Sequence, residues 1–114
     1  MKRVYIAGAY SGSDVLTVFD NMRRGLRLAA EVQTAGFAAY VPWEDILRHL
    51  ISDGFSIETC YAASMAWLEV SDAVVVQPER VEESVGTQAE LARAETLGIP
   101  VFWSVDELVK WRDG

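Results

Sequence analysis

Short runs of apolar residues alternate along the chain with longer stretches in which apolar residues recur every three or four positions. The runs predict β-strands at Val4 to Ala9, Phe37 to Val41, Ala73 to Gln77 and Pro100 to Trp103. From Ala73 to Val76 the chain is apolar throughout, a pattern typical of a strand buried on both faces of a parallel sheet. We therefore expect this run to form the central strand.

The periodic stretches between these runs predict helices. The first has its apolar positions at Val15, Phe19, Met22, Leu26, Ala29 and Ala30, and Gly36 follows as a C-terminal cap. Further helices are predicted around Asp45 to Ile51, over Ile57, Tyr61, Met65 and Leu68, and from about Thr87 to Leu97, closed by Gly98. A last helix opens with a capping box over Ser104 to Glu107. The least regular stretch, Trp43 to Gly54, is a candidate lid.

This alternation predicts an α/β fold: a flavodoxin-like or Rossmann-like three-layer sandwich with a mostly parallel sheet of four or five strands. The 114 residues suit a single domain spanning positions 1–114, without repeats or linkers. Ligands of such sheets bind outside the carboxyl ends of the strands, where the strand order reverses. We therefore expect the site in the loops after Ala9, Val41, Gln77 and Trp103.

The net charge of the chain limits the kinds of molecule that it can bind. Seventeen acidic against ten basic residues give a net charge of −7, which repels a nucleic acid polymer but still allows one small nucleotide to be held by local backbone N–H groups. The longest apolar stretch falls short of the about 20 residues of a membrane span, and Met1-Lys2-Arg3 does not continue as a signal peptide. We expect a cytoplasmic protein with no membrane partner.

The single cysteine, Cys60, permits neither an internal disulfide nor a cysteine-based metal cluster. We interpret it as a small buried hydrophobic residue. The single histidine, His49, lies in a polar amphipathic stretch and is interpreted as a surface residue. No metal or organic cofactor is expected.

A small-residue turn, Gly8-Ala9-Tyr10-Ser11-Gly12-Ser13, follows the first predicted strand. Such a turn lets a phosphate approach backbone N–H groups and serine hydroxyls. It lacks both the GxGxxG spacing of dinucleotide binders and the lysine of a P-loop. The alternative is an ordinary strand-to-helix turn in which Ser13 or Asp14 caps the helix.

A second polar segment, Ser84-Val85-Gly86-Thr87-Gln88-Ala89-Glu90, follows the predicted central strand. Thr87 and Glu90 have the spacing of a capping box, in which Glu90 would only satisfy a backbone N–H group. Alternatively, Glu90 is a carboxylate nucleophile that attacks C1′ of a nucleotide, as in retaining glycoside hydrolysis. Both interpretations place Glu90 in the first helical turn, where the helix dipole favours its ionised form.

Three segments, which follow one another in the same order, resemble the nucleoside 2-deoxyribosyltransferase superfamily, and together they span nearly the whole chain. These segments are Val4 to Gly8, Ser71 to Val76, and Ser84-x-Gly86-Thr87-x-x-Glu90-x-x-x-Ala94 followed by Gly98 to Val101. The short length, and Ser84 six residues before Glu90, look more like the nucleoside 5′-monophosphate N-glycosidases than the transferases acting on free nucleosides.

The resemblance implies hydrolysis of the N-glycosidic bond of a nucleoside 5′-monophosphate, releasing free base and sugar phosphate. It makes Glu90 the nucleophile and Tyr5 its positioning partner. Ser84 matches a phosphate-contacting serine, and Ser11 and Gly12 lie in the matching phosphate loop. The substrate-binding set that we expect is Gly8, Ser11, Gly12, Ser13, Trp43, Ser64, Ser84, Gly86 and Thr87. The resemblance also implies a homodimer whose partner helps to close each site.

The sequence departs from the superfamily at one position. Counting back from Asp72, the proton-donating aspartate of the superfamily falls at Ser64, whose hydroxyl cannot protonate a departing base at neutral pH. Asp72 precedes the central strand and is expected at the opposite edge of the sheet. The remaining acidic candidates in or beside the uncertain stretch are Glu44, Asp45, Asp53 and Glu58.

Several alternatives stay open at this point. Trp43 either stacks on a base or belongs to the core, and Arg23 and Arg24 either face solvent or reach a phosphate. The activity could also be base exchange by a nucleoside 2-deoxyribosyltransferase, or be lost in a nucleotide-binding or sensing module. The phosphoribohydrolases of the lysine-decarboxylase-like group share the GTxxE helix start, but their diglycine is absent after Pro78.

Overall fold

A computed structural model describes residues 1–44, 51 and 56–114 of the chain. The strands are β1 (Arg3–Ala7), β2 (Ala38–Tyr40), β3 (Ala73–Val76) and β4 (Val101–Phe102). The helices are α1 (Val15–Thr34), α2 (Ile57–Glu69), α3 (Val85–Leu97) and α4 (Val105–Asp113), with short 3-10 turns at Pro42–Glu44 and Val81–Glu83. The helix predicted around Asp45 to Ile51 falls, apart from Ile51, outside the described residues.

The four strands form a parallel sheet in the order β2-β1-β3-β4. This arrangement confirms the predicted α/β fold class with a mostly parallel sheet, and of the four or five strands predicted the described residues form four. The connection from β1 leads to the edge strand β2, whereas the later connections lead to β3, on the other side of β1, and then to β4. The strand order therefore reverses between β1 and β3. The carboxyl ends of β1 and β3 therefore flank the position where ligands of such sheets bind.

Alternating side chains of the two central strands enter two different cores. Val4, Ile6, Ala73 and Val75 pack on one face with Val32 of α1 and Leu108 of α4. Tyr5, Ala7, Val74 and Val76 pack on the other face with Leu68 of α2 and Ala94 of α3. The alternation follows from the two-residue period of a strand, and it confirms the three-layer sandwich. It also places Tyr5 on the face that α3 covers.

Helix boundaries match the capping residues of the sequence, with two differences. Asp14 caps α1 by accepting from the Thr17 N–H group, and Gly36 and Gly98 take positive φ angles of 101° and 71° after their helices. The first difference is that α3 begins at Val85, capped by Ser84, and not near Thr87. The second difference lies at the start of α4, which Ser104 caps. The Glu107 carboxylate accepts a hydrogen bond from the N–H group of Trp103, the residue before the cap, whereas a capping box uses the N–H group of the cap residue itself.

The apolar positions of α1 are only partly buried. Met22 and Ala29 pack against the core, but Phe19 and Leu26 are 58% and 43% exposed. Val15 and Ala30 are also exposed, so four of the six positions of the predicted apolar pattern face solvent. The buried face instead carries Asn21, Gly25 and Val32, because Gly25 lets the Trp43 ring approach the helix backbone closely.

Within the described part of the chain, every helix is too short or too polar to cross a lipid bilayer.

Candidate active site

A pocket of about 570 Å³ opens at the carboxyl ends of β1 and β3, where the strand order reverses. Its walls come from the segments after β1, β2 and β3 and from the amino-terminal halves of α2 and α3. Three of the four predicted loops therefore contribute. Trp103, which follows β4, does not line the pocket, because β4 lies at the edge of the sheet.

Glu90 and Tyr5 meet at this pocket. The Tyr5 hydroxyl, on the buried face of β1, donates a hydrogen bond to the carboxylate Oε2 of Glu90 on α3. Glu90 lines the pocket, and both residues line a smaller adjoining cavity of about 110 Å³. The sequence alternative that assigned Glu90 to a capping box is wrong, because Ser84 and not Thr87 caps α3.

Burial controls the protonation of this pair. Desolvation raises the pKa of Glu90 to about 7, and the hydrogen bond from Tyr5 opposes that rise. Desolvation also raises the pKa of Tyr5, as does the neighbouring Glu90, so Tyr5 stays a proton donor at neutral pH. The expectation that the helix dipole keeps Glu90 ionised is wrong. Glu90 is the sixth residue of α3, beyond the first turn in which the dipole acts.

The Ser64 side chain also reaches this pair. Ser64 is 8% exposed, lines both cavities, and interacts with the Tyr5 hydroxyl, which partly offsets the rise in the pKa of Tyr5. Ser64, Tyr5 and Glu90 therefore lie together at the smaller cavity. A serine here can position the tyrosine, but it brings no carboxylic acid to the pocket.

Only some of the residues predicted to bind phosphate in the turn after β1 lie at the pocket. Gly8 and Ser11 line the pocket, whereas Gly12 and Ser13 do not. A Cβ atom on Gly8 would lie 3.0 Å from the Gln77 Cβ atom, so this close approach favours glycine. At Gly12 a Cβ atom would lie 2.5 Å from the Thr17 side chain, which explains that glycine by packing rather than by ligand contact.

The segment before Glu90 lines the pocket with Ser84, Gly86 and Thr87, as predicted. The Ser84 hydroxyl caps α3 by accepting from the Thr87 N–H group at 3.2 Å and lies 2.7 Å from the Thr87 hydroxyl. Thr87 is buried. Gly86 faces open space, since a Cβ atom there would meet nothing within 4 Å.

Trp43 and Cys60 also lie on the pocket wall. Trp43 belongs to the core and lines the pocket as well: its ring packs over Gly25 and Gly8 and it is only 4% exposed. Cys60 is half-buried and lines the pocket on α2, so its interpretation as a small buried hydrophobic residue is wrong.

One pocket residue, Arg80, escaped the sequence analysis. Its Nη1 atom donates to the Asp20 carboxylate at 2.9 Å and to the Asn21 side-chain oxygen at 2.7 Å. Its backbone has a left-handed φ of 61°. The available signal was its position as the only basic residue between β3 and α3.

The other charged candidates lie away from the pocket. Arg23 and Arg24 are exposed and pair with Asp20, as expected of solvent-facing residues. Glu44 and Glu58 are exposed and do not line it. Asp72 accepts from the Arg3 N–H group, at the amino edge as predicted. His49, Asp45 and Asp53 lie outside the described residues.

Comparison with known proteins assigns the chain to a family. Residues 2–103 match the family described as a domain of unknown function, DUF4406. The chain belongs to the DUF4406 family. No curated protein matches it. Its fold is similar to that of a 2-deoxyribosyltransferase from the psychrotolerant bacterium Bacillus psychrosaccharolyticus, at 18% identity and a TM-score of 0.61, over 87% of this chain and 69% of that one.

The DUF4406 chain thus presents a partly buried carboxyl group, a tyrosine donor and polar loops around one pocket. In the described residues, no group of three or more His, Cys, Asp or Glu side chains is placed to hold a metal ion. A carboxyl group with a pKa of about 7 can act either as a nucleophile or as a proton carrier near neutral pH. Its position at the end of an apolar pocket suits attack on a bound small molecule.

Proposed function

We propose that this DUF4406 chain cleaves the N-glycosidic bond of a nucleoside 5′-monophosphate and releases free base and sugar phosphate. The observation that carries the proposal is the Glu90 carboxyl group, held by the Tyr5 hydroxyl at a pocket of about 570 Å³. That volume is in the range of small-molecule sites. The fold shared with a 2-deoxyribosyltransferase supports the broader class, which is transfer or hydrolysis of a nucleoside glycosyl group.

The reaction proceeds in two displacements at C1′. An oxygen of ionised Glu90 attacks C1′ while the C1′–N bond breaks. The electron pair of that bond leaves with the base. Water then attacks C1′ of the glycosyl ester and loses a proton to solvent, while the C1′–O bond to Glu90 breaks and releases the sugar phosphate and the Glu90 carboxylate. Tyr5 keeps its proton throughout, because its raised pKa makes it a hydrogen-bond donor that orients the carboxylate.

The departing base also needs a proton. Ser64 cannot supply it at neutral pH, and Glu83 is the other described carboxyl group that lines the pocket, at its exposed mouth. The base therefore takes its proton from solvent or from an acidic side chain at the mouth. Such slow protonation makes turnover depend strongly on the leaving group, so bases that leave readily are the best substrates.

The phosphate binds at the loops that follow β1 and β3. Ser11 and Ser84 bring hydroxyl groups to the pocket, and Gly86 leaves room for a ligand beside the backbone. Thr87 is buried and supports Ser84 by a hydrogen bond. Trp43 closes the wall beside Gly8, where its ring can contact the base or the sugar.

The site also suits a second function, nucleotide binding without turnover. The observation that favours it is Ser64, since a hydroxyl in contact with Tyr5 stabilises the site without adding an acid. In this alternative the ligand binds and no base is released. Base exchange, as in the transferases, differs from hydrolysis only in which acceptor attacks the glycosyl ester.

We further propose that two copies of the chain associate through α1. Leu16, Phe19 and Leu26 share one face of this helix, and they are 78%, 58% and 43% exposed. Exposed apolar residues on one helix face are typical of a helix that packs against a partner. We place the reaction in the cytoplasm, a reducing compartment compatible with the lone thiol of Cys60.

The experiment that separates these functions is chromatography after incubation with a panel of ribonucleoside and deoxyribonucleoside 5′-monophosphates and the matching nucleosides. Hydrolysis predicts free base and sugar phosphate in equal amounts. Base exchange predicts a new nucleotide only when a second base is added. A bound nucleotide that raises the melting temperature but releases no base identifies the binding module instead.

A further inference from the structure

Arg80 is the only lysine or arginine among the described residues that lines the pocket. The pocket otherwise carries the carboxyl groups of Glu83 and Glu90, in a chain whose net charge is −7. A phosphomonoester, with a charge between about −1.5 and −2 at pH 7, would meet repulsion there without a compensating cation. The arginine is therefore the one described side chain that can favour an anionic ligand over a neutral one.

The Arg80 guanidinium is fixed in place before any ligand arrives. Its Nη1 atom bonds to Asp20 and to the side-chain oxygen of Asn21. Asn21 is 3% exposed, and its amide donates to the backbone oxygens of Tyr10 and Ser11 at 3.1 and 3.2 Å. The guanidinium is thus tied, through one buried amide, to the loop after β1. A positioned cation loses little conformational freedom when it binds an anion.

Asp20 does not cancel the charge of Arg80. Arg23 and Arg24 bond to the same carboxylate at 2.8 and 2.9 Å, so one negative charge is shared by three guanidinium groups. In the described part of the chain, only the Nη1 atom of Arg80 has partners. Among the described residues the Nε and Nη2 atoms therefore form a free edge, and such an edge matches two oxygens of a phosphate.

The backbone at Arg80 supports a ligand-directed role. Its φ of 61° and ψ of 18° are left-handed values, which cost free energy for a residue other than glycine. Glycine would fit this turn without strain. A strained backbone at a pocket residue is typical of sites where the side chain has a function, and here it directs the side chain back towards α1.

From these contacts we infer that Arg80 binds the 5′-phosphate of the substrate and sets the preference for nucleotides over nucleosides. The inference rests on the proposed function for the identity of the ligand, but the anion contact itself can be measured apart from catalysis. The phosphate is then held between the free edge of Arg80 and the polar groups of Ser11 and Ser84.

The test compares binding of ribose 5-phosphate, of deoxyribose 5-phosphate and of ribose to the wild-type chain and to variants, by calorimetry at low and high salt. Arg80→Gly suits the left-handed turn, and Arg80→Asn is a second variant that tolerates it. Arg24→Gln is the matched control, because Arg24 bonds to the same Asp20 but does not line the pocket. Melting curves confirm that each variant is folded.

We expect Arg80→Gly and Arg80→Asn to weaken sugar-phosphate binding by about 10- to 100-fold, the range for losing a charge-assisted hydrogen bond. Ribose binding should not change, Arg24→Gln should differ less than about threefold, and high salt should reduce the wild-type advantage. Equal binding by wild type and folded Arg80 variants overturns the inference. Wild-type protein that binds neither sugar phosphate overturns it as well.

Base release separates this inference from the proposed function. If wild type binds a sugar phosphate through Arg80 but releases no base from any nucleotide, the glycosidase proposal fails and the Arg80 contact stands. If base is released from nucleosides and nucleotides at similar rates, and Arg80→Gly does not alter that ratio, the Arg80 inference fails and cleavage stands.

Discussion

The Tyr5 hydroxyl on β1 donates a hydrogen bond to the carboxylate of Glu90 on α3, 85 residues later in the chain. The contact joins a central strand to the helix that covers it, at the end of the sheet where the strand order reverses. Tyr5 is fully buried, so its hydroxyl has a fixed position. The carboxyl group is therefore held in one orientation while burial brings its pKa to about 7.

This contact predicts how activity depends on pH. In the proposed mechanism the nucleophile is the ionised form of Glu90, so the rate of base release should rise through about pH 7 as Glu90 loses its proton. The hydrogen bond from Tyr5 lowers the pKa of Glu90, and Tyr5→Phe should therefore move this rise to higher pH and slow turnover at pH 7. Measured pH–rate profiles of kcat provide the test.

Tyr61→Phe serves as the control, since Tyr61 lines the same pocket but its hydroxyl is not the partner of Glu90. Its profile should follow the wild type. A Tyr5→Phe profile with an unchanged midpoint would show that Tyr5 does not tune the carboxyl group.

The same burial predicts an effect on stability. The pKa of Glu90 is about 7 in the folded chain against an ordinary 4.5, so the folded state retains a proton that the unfolded chain releases. Wild-type stability should therefore fall as pH rises from about 4.5 to 7. Glu90→Gln cannot ionise and should be more stable than wild type by about 1–3 kcal/mol at pH 8, with a small difference at pH 5.

Thermal or urea melts of both proteins at the two pH values measure this difference. Glutamine keeps an acceptor oxygen for Tyr5, so the comparison isolates the buried charge. A Glu90→Gln variant less stable than wild type at pH 8 would contradict the raised pKa.

Ser64 predicts that protonation of the leaving base limits turnover. In Ser64→Asp a second carboxyl group stands near Tyr5 and Glu90, and two such groups hold a proton more tightly than either does alone. That proton can pass to the base, and general-acid catalysis contributes on the order of 10²–10⁴-fold when well aligned. We expect at least a severalfold increase in the rate for unmodified bases.

Ser64→Ala is the control, and it should not increase the rate. The comparison is made by single-turnover base release with one poor and one good leaving group. If Ser64→Asp is no faster than Ser64→Ala with the poor leaving group, protonation is not the limiting step.

The exposed face of α1 predicts a dimer. Phe19 is 58% exposed between Leu16 and Leu26, and a charge at its position should prevent the burial of that face. We expect light scattering at micromolar concentration to give a dimer mass for wild type and a monomer mass for Phe19→Glu. Val70→Glu, at a 51% exposed position after α2, should remain dimeric. A monomeric wild type would exclude this interface.

Local sequence patterns predicted most of the strands and helices. The apolar run Ala73 to Val76 becomes the fully buried β3, and Gly36 and Gly98 adopt the positive φ angles that end their helices. Periodicity alone was misleading on α1, where Phe19 and Leu26 follow the apolar pattern yet face outward. The face that packs is set by Gly25, whose missing side chain admits the Trp43 ring, a contact between distant segments that spacing does not reveal.

The contact between Tyr5 and Glu90 was predicted, whereas Arg80 on the pocket wall was not. The resemblance pointed to Glu90 and Tyr5, and the structure brings them into contact. Arg80 was not predicted, because its role depends on contacts with Asp20 and Asn21, about sixty positions earlier. It also depends on a left-handed backbone conformation that the sequence pattern does not indicate. The first turn of α3 was misplaced because Ser84 and Thr87 are both good capping residues.

The central claim is that Glu90 is the nucleophile, and the most direct measurement is the rate of base release by wild type and Glu90→Gln at pH 8 with the best nucleotide of the panel. The proposed mechanism predicts at least a thousandfold loss, on the order expected when a nucleophile is removed, in a variant that melts no lower than wild type. A folded Glu90→Gln variant that releases base at a rate within tenfold of wild type would contradict it.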